Sequence, residues 1–435
     1  MKSFRWLTKA ISILAILGIL ATGNKTADAL NATSSQDNGS TKDDDPELFA
    51  KTSPYINAIM NSTDTTFPRL ECPWLKTDRY TYLRSQSSSL WLPKSLRQKP
   101  SYFFALNMFD CAHVLPRLFG SIIEAIKFFG PESCVLSVVE GRSQDGTFEI
   151  LHELRSEMTR LGVKYILQTS DLNPKGEDED RIKDLAILRS MAVQDLVTNP
   201  SHYAHDTTVI FSNDISLCLD DILELIHQRR YQNADMTCAM DWIFPGPDPI
   251  FYDVWIARTI TGDTFFHIPP DGSWDDSGNL FWNAADTRAR WEANKPFQVF
   301  ACWNGIAAFG AKPLMEGIVK FRGQREGECY QGEPNYFAKD LWFHGFGRIA
   351  VVPSVNVGYF DPLSRRLKEA KGYATHHLGS GEADERIEWE KTPPAGVICA
   401  PSWESQEFVP WDQALPKKGR AWKRLRERVG LIDVF

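Results

Sequence analysis

Several large function classes are missing their signatures from this sequence. Basic residues are in deficit. There are 48 Lys and Arg against 56 Asp and Glu in 435 residues, a net charge of −8. That argues against a general nucleic-acid binder, whose affinity comes from displacing phosphate counterions. No long apolar run follows residue 23, so a polytopic membrane protein is excluded. The eight cysteines contain no C-x-x-C pair, which removes thioredoxin chemistry and zinc knuckles. The first strand–helix turn, Asn107-Met-Phe-Asp110-Cys-Ala-His113, has no G-x-G-x-x-G, and no Walker A loop occurs. There is no G-x-S-x-G elbow either. His152-Glu153 opens like a zinc-protease motif, but Ser156 stands where the second histidine must be.

Apolar residues are plentiful, at 43% with 12% aromatic, so the chain can bury a sizeable core and is not globally disordered. Near the N-terminus Lys2, Arg5 and Lys9 precede an apolar stretch over 10–23, and Ala27-Asp28-Ala29 follows. The segment reads two ways: a signal-anchor with residues 1–9 in the cytosol, or a cleaved signal peptide. Both readings place the remainder in the secretory lumen, as a single-pass type II Golgi membrane protein or as a secreted one. N-glycosylation sequons begin at Asn24, Asn31, Asn38 and Asn61, and none occurs later. On the anchored reading Asn24 lies close to the membrane. Asn31, Asn38 and Asn61 are the expected sites on a polar stem spanning 24–100. The cysteines fit an oxidising compartment, and Cys134, inside an apolar strand, is expected to be a buried free thiol.

Regular alternation begins at Tyr102. Strands are predicted over 102–108, 134–139, 163–167, 209–211 and 236–240. Helices are predicted over 115–129, 147–161, 181–197 and 219–227. This spacing implies an α/β domain over 101–415, built on a doubly wound, mostly parallel sheet with flanking helices. A basic tail, 416–435, follows it. Ligands of such sheets sit at the carboxyl ends of the strands. Those ends carry Glu140 and Asp145, then Asn213-Asp214, then Asp241. Clustered carboxylates repel one another and are tolerable around a divalent cation. A lumenal α/β domain of this kind fits a nucleotide-sugar glycosyltransferase, in which Mg²⁺ or Mn²⁺ screens the leaving diphosphate. Asn213-Asp214 is one acid short of the common D-x-D pair.

An ordered set of short stretches carries a more specific resemblance. They are Val138–Thr147 (VVEGRSQDGT), Arg181–Arg189 (RIKDLAILR), Val209–Asp214 (VIFSND), Cys238–Trp242 (CAMDW), Phe251–Trp255 (FYDVW), Ala301–Gly305 (ACWNG), Glu328-Cys329 and Val352–Tyr359 (VPSVNVGY). Together they resemble the fungal capsule-associated α-1,3-mannosyltransferases, glycosyltransferase family 69. The chain departs from that pattern at Val139, Ser190 and Thr259. The resemblance implies a GT-A-like fold that moves mannose from GDP-mannose to an α-mannoside acceptor with retention, dependent on Mn²⁺ or Mg²⁺. On this reading Asp214 is the expected metal ligand, with His344 as a late second one. Glu140, Asp145 and Asn213 are expected to hold the nucleotide. Arg181 and Arg189, eight apart and near one helix face, suit a diphosphate. Asp241 and Asp253 are expected to bind the acceptor hydroxyl or to stabilise an oxocarbenium-like transition state, and Glu328 to contact the acceptor. Trp303 and Asn304 are expected to form an acceptor wall. A non-catalytic scaffold in polysaccharide assembly or export remains the alternative, and a secreted glycoside hydrolase is a third reading.

Overall fold

The computed structural model describes residues 46–75, 78–85, 99–176, 180–378 and 385–416. The expected anchor, the sequons at Asn24, Asn31 and Asn38, and the basic tail from 417 lie outside them. Asn61 is exposed just after the helix Ser53–Met60, and its Oδ1 accepts from the Thr63 backbone. Among the described residues no helix is long and apolar enough to cross a membrane.

Ten strands form one sheet: β1 (Tyr102–Met108), β2 (Cys134–Glu140), β3 (Lys164–Thr169), β4 (Thr208–Ser212), β5 (Met236–Ile243), β6 (Ile250–Phe251), β7 (Arg258–Thr259), β8 (Phe297–Ala301), β9 (Ile306–Gly310) and β10 (Ile349–Val357). Their order is β3-β2-β1-β4-β9-β5-β10-β8-β7, with β6 beside β5. The helices that matter here are α1 (Leu115–Phe129), α2 (Thr147–Leu161), α3 (Arg181–Ala192), α4 (Leu219–Tyr231), α5 (Glu333–Phe343) and α6 (Asp361–Lys371). A hairpin of β11 (Gly396–Cys399) and β12 (Glu407–Pro410) lies apart from the sheet.

β1 shows why the sequence folds this way. Phe103 and Ala105 enter the core shared with α3, while Phe104 and Leu106 enter the core shared with α1, α2 and α4. Both faces are buried, so the strand reads as an unbroken apolar run. Strands β1 to β3 step outward in parallel, and β4 returns to the other side of β1. The direction of winding therefore reverses between β1 and β4, and such a switch point opens a crevice at the carboxyl ends.

The sheet is mixed rather than mostly parallel. β9 enters antiparallel between β4 and β5, and β8 pairs antiparallel with β10. The expected strands end at residue 240, and the short strands beyond it supply the antiparallel pairs. The helix expected over 181–197 breaks at Val193 into α3 and a short helix Gln194–Thr198. Ser190 Oγ bonds back to the Ala186 carbonyl there, a contact that bends helices. Three disulfides, Cys72–Cys218, Cys238–Cys302 and Cys329–Cys399, tie the structure. Cys111 and Cys134 are free and buried, the latter as its apolar strand predicts.

Candidate functional site

Two neighbouring cavities open at the carboxyl side of the sheet. The smaller, about 430 Å³, sits at the switch point, where Asn107 and Met108 of β1, Val139 of β2 and Asp214 after β4 meet. Its polar rim comes from Arg142, Asp171, Lys175 and Arg181. Arg142 pairs with Asp171, and the Lys175 ammonium lies 5.0 Å from the Phe109 ring centre. No side chain among the described residues bonds the Asp214 carboxylate. Burial raises its pKa, against the hydrogen bond from its own backbone N–H and the pull of His113 and Lys175. A carboxylate held this way, without a side-chain partner, is a hard oxygen donor suited to Mg²⁺ or Mn²⁺.

The larger cavity, about 780 Å³, adjoins it. Arg181, at the N-terminus of α3, lines both. Arg189 also lines the larger one but forms no fork with Arg181. Eight residues of helix separate their Cα atoms by about 12 Å. The Arg189 guanidinium is committed elsewhere: its Nε donates to Glu333 at 2.6 Å, and the group lies 4.1 Å from the Trp303 ring centre.

A four-residue turn, Cys302–Gly305, organises the floor. Cys302 is bonded to Cys238 of β5. Trp303 Nε1 donates to Asn213 Oδ1 at 3.1 Å, and the Asn213 backbone N–H donates to the Gly305 carbonyl at 2.8 Å. The Asn304 backbone N–H donates to Asp253 Oδ2 at 2.9 Å, while its side-chain amide donates to the Ala239 carbonyl. Gly305 is required. Its φ is +82°, and a Cβ there would meet Val357 at 3.1 Å and Ile215 at 3.3 Å. The turn thus joins the ends of β4 and β5 and the Asp253 segment. This corrects the expected acceptor wall in part: Trp303 lines the larger cavity but is almost wholly buried with Arg189 over its ring, while Asn304 is fully buried and does not line it. Both residues position others, and Asn213, which also lines the larger cavity, has its side-chain oxygen taken by Trp303.

Asp241, at the end of β5, is wholly buried and accepts from the Tyr359 hydroxyl at 2.5 Å and the Asp253 N–H at 3.3 Å. Burial, reinforced by the charge of Asp253, pushes its pKa well above the usual carboxylate range. Asp253 lines the larger cavity, and burial raises it to about 6. The two carboxyls do not both ionise readily, and burial raises Asp241 the more, which leaves Asp253 as the carboxyl that titrates at the cavity. Arg258 lies wholly buried beneath, donating to three carbonyls with one guanidinium nitrogen unsatisfied. Burial lowers its pKa to about 10.

Four expected residues sit elsewhere or are engaged elsewhere. Glu140 accepts from the N–H groups of Arg142 and Ser143, and Asp145 from Ala112 and Thr147. Both lock the loops behind the smaller cleft rather than facing a nucleotide. Glu328 does not line the cavities. Arg322 and Lys339 engage it, and although burial pushes its pKa up, these partners hold it below the usual value. His344 follows the last residue of α5, whereas Glu333 at the first residue lines the cavity. Eleven residues of helix put His344 about 16 Å along α5 from that cavity-lining end, and His344 lines neither cavity. Among the described residues one group of potential ligand atoms clusters closely, Cys218, Asp220 and Asp221. Its thiol is in a disulfide and Asp221 pairs with Lys368 at 2.8 Å, so it offers no metal site.

The sequence reading missed Glu333, Tyr359, Lys175 and the turn Asp271–Asp275, which lines the larger cavity with Trp403. Tyr359 closes the quoted stretch 352–359, and Asp271-Gly272 is a turn signal. Lys175 and Glu333 carry no local signal; only the fold brings them to the site.

Residues 101–340, more than half of the chain, match the family described as Cryptococcal mannosyltransferase 1. The alpha-1,3-mannosyltransferase CMT1 of Cryptococcus neoformans is 30% identical over 408 residues, covering 84% of this chain and 86% of that protein. Solved structures are more distant. TarS of S. aureus (residues 1–349) aligns at TM-score 0.36 and 12% identity, over 64% of this chain and 68% of that one. A mannosyltransferase from Pyrobaculum calidifontis, in complex with GDP-Man and Mn²⁺, aligns at 0.34 and 14%, over 61% and 58%. Likeness at that level carries no functional inference.

Proposed function

The chain belongs to the cryptococcal mannosyltransferase family, and from that premise we propose that it is an α-1,3-mannosyltransferase using GDP-mannose and a divalent cation, with a GT-A-like arrangement of its site. The observation that carries this is the Asp214 carboxylate, without a side-chain partner among the described residues, at a switch-point cleft that a single arginine joins to a second cavity. The nucleotide takes the smaller cleft, where Lys175 supplies positive charge and Arg142 is paired with Asp171. Arg181 and the N-terminus of α3 face the diphosphate at the junction. Asp214 holds the cation, Mn²⁺ or Mg²⁺, which when bound screens the charge on the departing diphosphate.

The mannose points into the larger cavity above Asp253. In the transfer step the bond from mannose C1 to the diphosphate oxygen breaks, and a bond to the acceptor hydroxyl oxygen forms on the same face. The acceptor proton passes to the departing phosphate oxygen, so no separate base is needed. The Asp253 anion stabilises the positive charge that develops at C1. The Tyr359–Asp241 bond and the Asn304–Asp253 bond fix where Asp253 points. The three disulfides support an oxidising compartment. With the apolar stretch 10–23, they favour a lumenal domain of a Golgi membrane enzyme, with Asn61 a surface glycosylation site.

Calorimetric titration with GDP, with and without Mn²⁺, tests this on the protein and on Asp214→Ala. Mn²⁺-dependent binding that the variant loses, with mannose transfer from GDP-mannose to an α-mannoside, is the expected result. Absence of GDP binding under both conditions overturns it.

A further inference from the structure

The rim of the larger cavity away from the sheet is made by two segments that the mechanism above does not use. One is the turn Asp271–Asp275. The other is the tip of the β11–β12 hairpin, which carries Trp403. They are built against each other. Gly272 has φ +71°, and a Cβ there would meet Trp403 Cδ1 at 3.0 Å, so the indole lies on the backbone of the turn. Trp274, two residues on, is half-buried and lines the same cavity.

The hairpin is held rigidly. Cys399 is bonded to Cys329, Trp255 Nε1 donates to the Ala400 carbonyl at 2.8 Å, and Arg258 Nε donates to the Ile398 carbonyl at 2.9 Å. Gln406 Nε2 donates to the Ile268 carbonyl at 2.9 Å. Its tip is therefore preformed rather than folded onto a ligand.

The chemistry of this rim differs from the rest of the site. The cations lining the cavity, Arg181 and Arg189, both come from α3. The turn and the hairpin tip contribute two indoles and two exposed carboxylates, Asp271 and Asp275, and no cation. Asp271 spends one oxygen on the Ser273 N–H at 3.0 Å. An anionic ligand would be repelled here. A neutral polyol would be accepted, with indole faces against its C–H faces and carboxylates taking its hydroxyl protons.

We propose that Trp403, Trp274, Asp271 and Asp275 form an acceptor subsite for a neutral oligosaccharide, binding sugar units beyond the one that receives mannose. The identification of that sugar as an α-mannoside rests on the transferase reading. Trp403 lies past the residues 101–340 that match the family, whereas Asp271, Trp274 and Asp275 lie within them.

The test is binding of α-linked mannotriose to the full chain, read by saturation-transfer NMR and tryptophan fluorescence, with GDP–Mn²⁺ titrated into the same samples. Trp403→Ala is expected to weaken mannotriose about tenfold or more, and Asp275→Asn several-fold, with GDP affinity unchanged in both. Trp403→Phe keeps an aromatic ring, is expected to restore most of the affinity, and controls for misfolding together with the melting temperature. Mannotriose binding equal in Trp403→Ala and the parent, or none in the parent, overturns the subsite. Loss of GDP binding in every sample would instead sink the nucleotide-sugar reading, while the mannotriose comparison still decides the subsite.

Discussion

Replacing Asp253 by asparagine separates the contribution of this carboxyl to transfer from its cost to the fold. Burial raises Asp253 from 3.8 to about 6. The native fold thus holds this proton more tightly than the unfolded chain does. The stabilising effect is complete below the unfolded value and is lost as pH rises through 6. A gap of about two pH units corresponds to roughly 3 kcal/mol, which the ionised native state has forfeited at pH 7.5. The carboxamide of Asp253→Asn cannot titrate, yet its oxygen can still accept from the Asn304 N–H. The variant should therefore be more stable than the parent at pH 7.5, by up to about 3 kcal/mol, with the gap closing to under about 1 kcal/mol by pH 4. Urea unfolding in EDTA at pH 4, 5, 6 and 7.5 measures this, and EDTA keeps metal binding out of the comparison. Transfer should fall about a hundredfold or more in the same variant. In the parent, transfer should rise with pH through about 6 as the anion forms. A variant less stable than the parent at pH 7.5, or a stability gap that does not shrink on acidification, would refute the assignment of the titrating carboxyl to Asp253.

Other perturbations separate support from chemistry. The Cys238–Cys302 bridge spans 64 residues, so Cys238→Ala/Cys302→Ala should cost about 4 kcal/mol of unfolding free energy in denaturant titration. Lys368→Met strands the buried Asp221 carboxylate and should cost roughly 3–5 kcal/mol at pH 8. The loss should be smaller at pH 5, because burial sets the Asp221 carboxyl at about 6. His344→Ala should leave Mn²⁺-dependent GDP affinity unchanged, which the Asp214→Ala titration would show lost. Glu328→Gln should lower the melting temperature through the Arg322–Lys339 cluster and leave the KM for GDP-mannose in place.

The strand–helix rhythm up to residue 240 was legible because β1, β2, β4 and β5 are buried on both faces, with only β3 at the sheet edge half-exposed, and because α1 and α2 carry a helical period. The sheet beyond it was not. β6 and β7 are two residues long, too short to carry a pattern. The strand-end rule led to Asp214 and Asp241, and the short motifs to Asp253 and Arg181. The same rule led to Glu140 and Asp145, because a sequence does not show whether a carboxylate is spent on the N–H groups of its own loop. The ACWNG stretch was noticed for its tryptophan, whose chemistry suits a sugar. Its role came instead from its backbone and from the disulfide beside it. Trp403 and the Asp271–Asp275 turn lie about 130 residues apart and meet only through the close packing at Gly272.

The Cys302–Gly305 turn has a consequence for how this enzyme can change over generations. It touches the Asn213, Asp241 and Asp253 segments at once and is fastened to β5. Substitutions at any of these three would be felt at the other two, so their effects should be strongly epistatic rather than additive. The base of the hairpin is tied through Ala400 and Ile398 to Trp255 and Arg258 beside Asp253, but the rim side chains Trp403, Trp274, Asp271 and Asp275 bond to none of the three. Divergence in which glycan is extended is therefore cheapest at that rim, where residues can be exchanged one at a time while the centre that breaks the donor bond stays fixed.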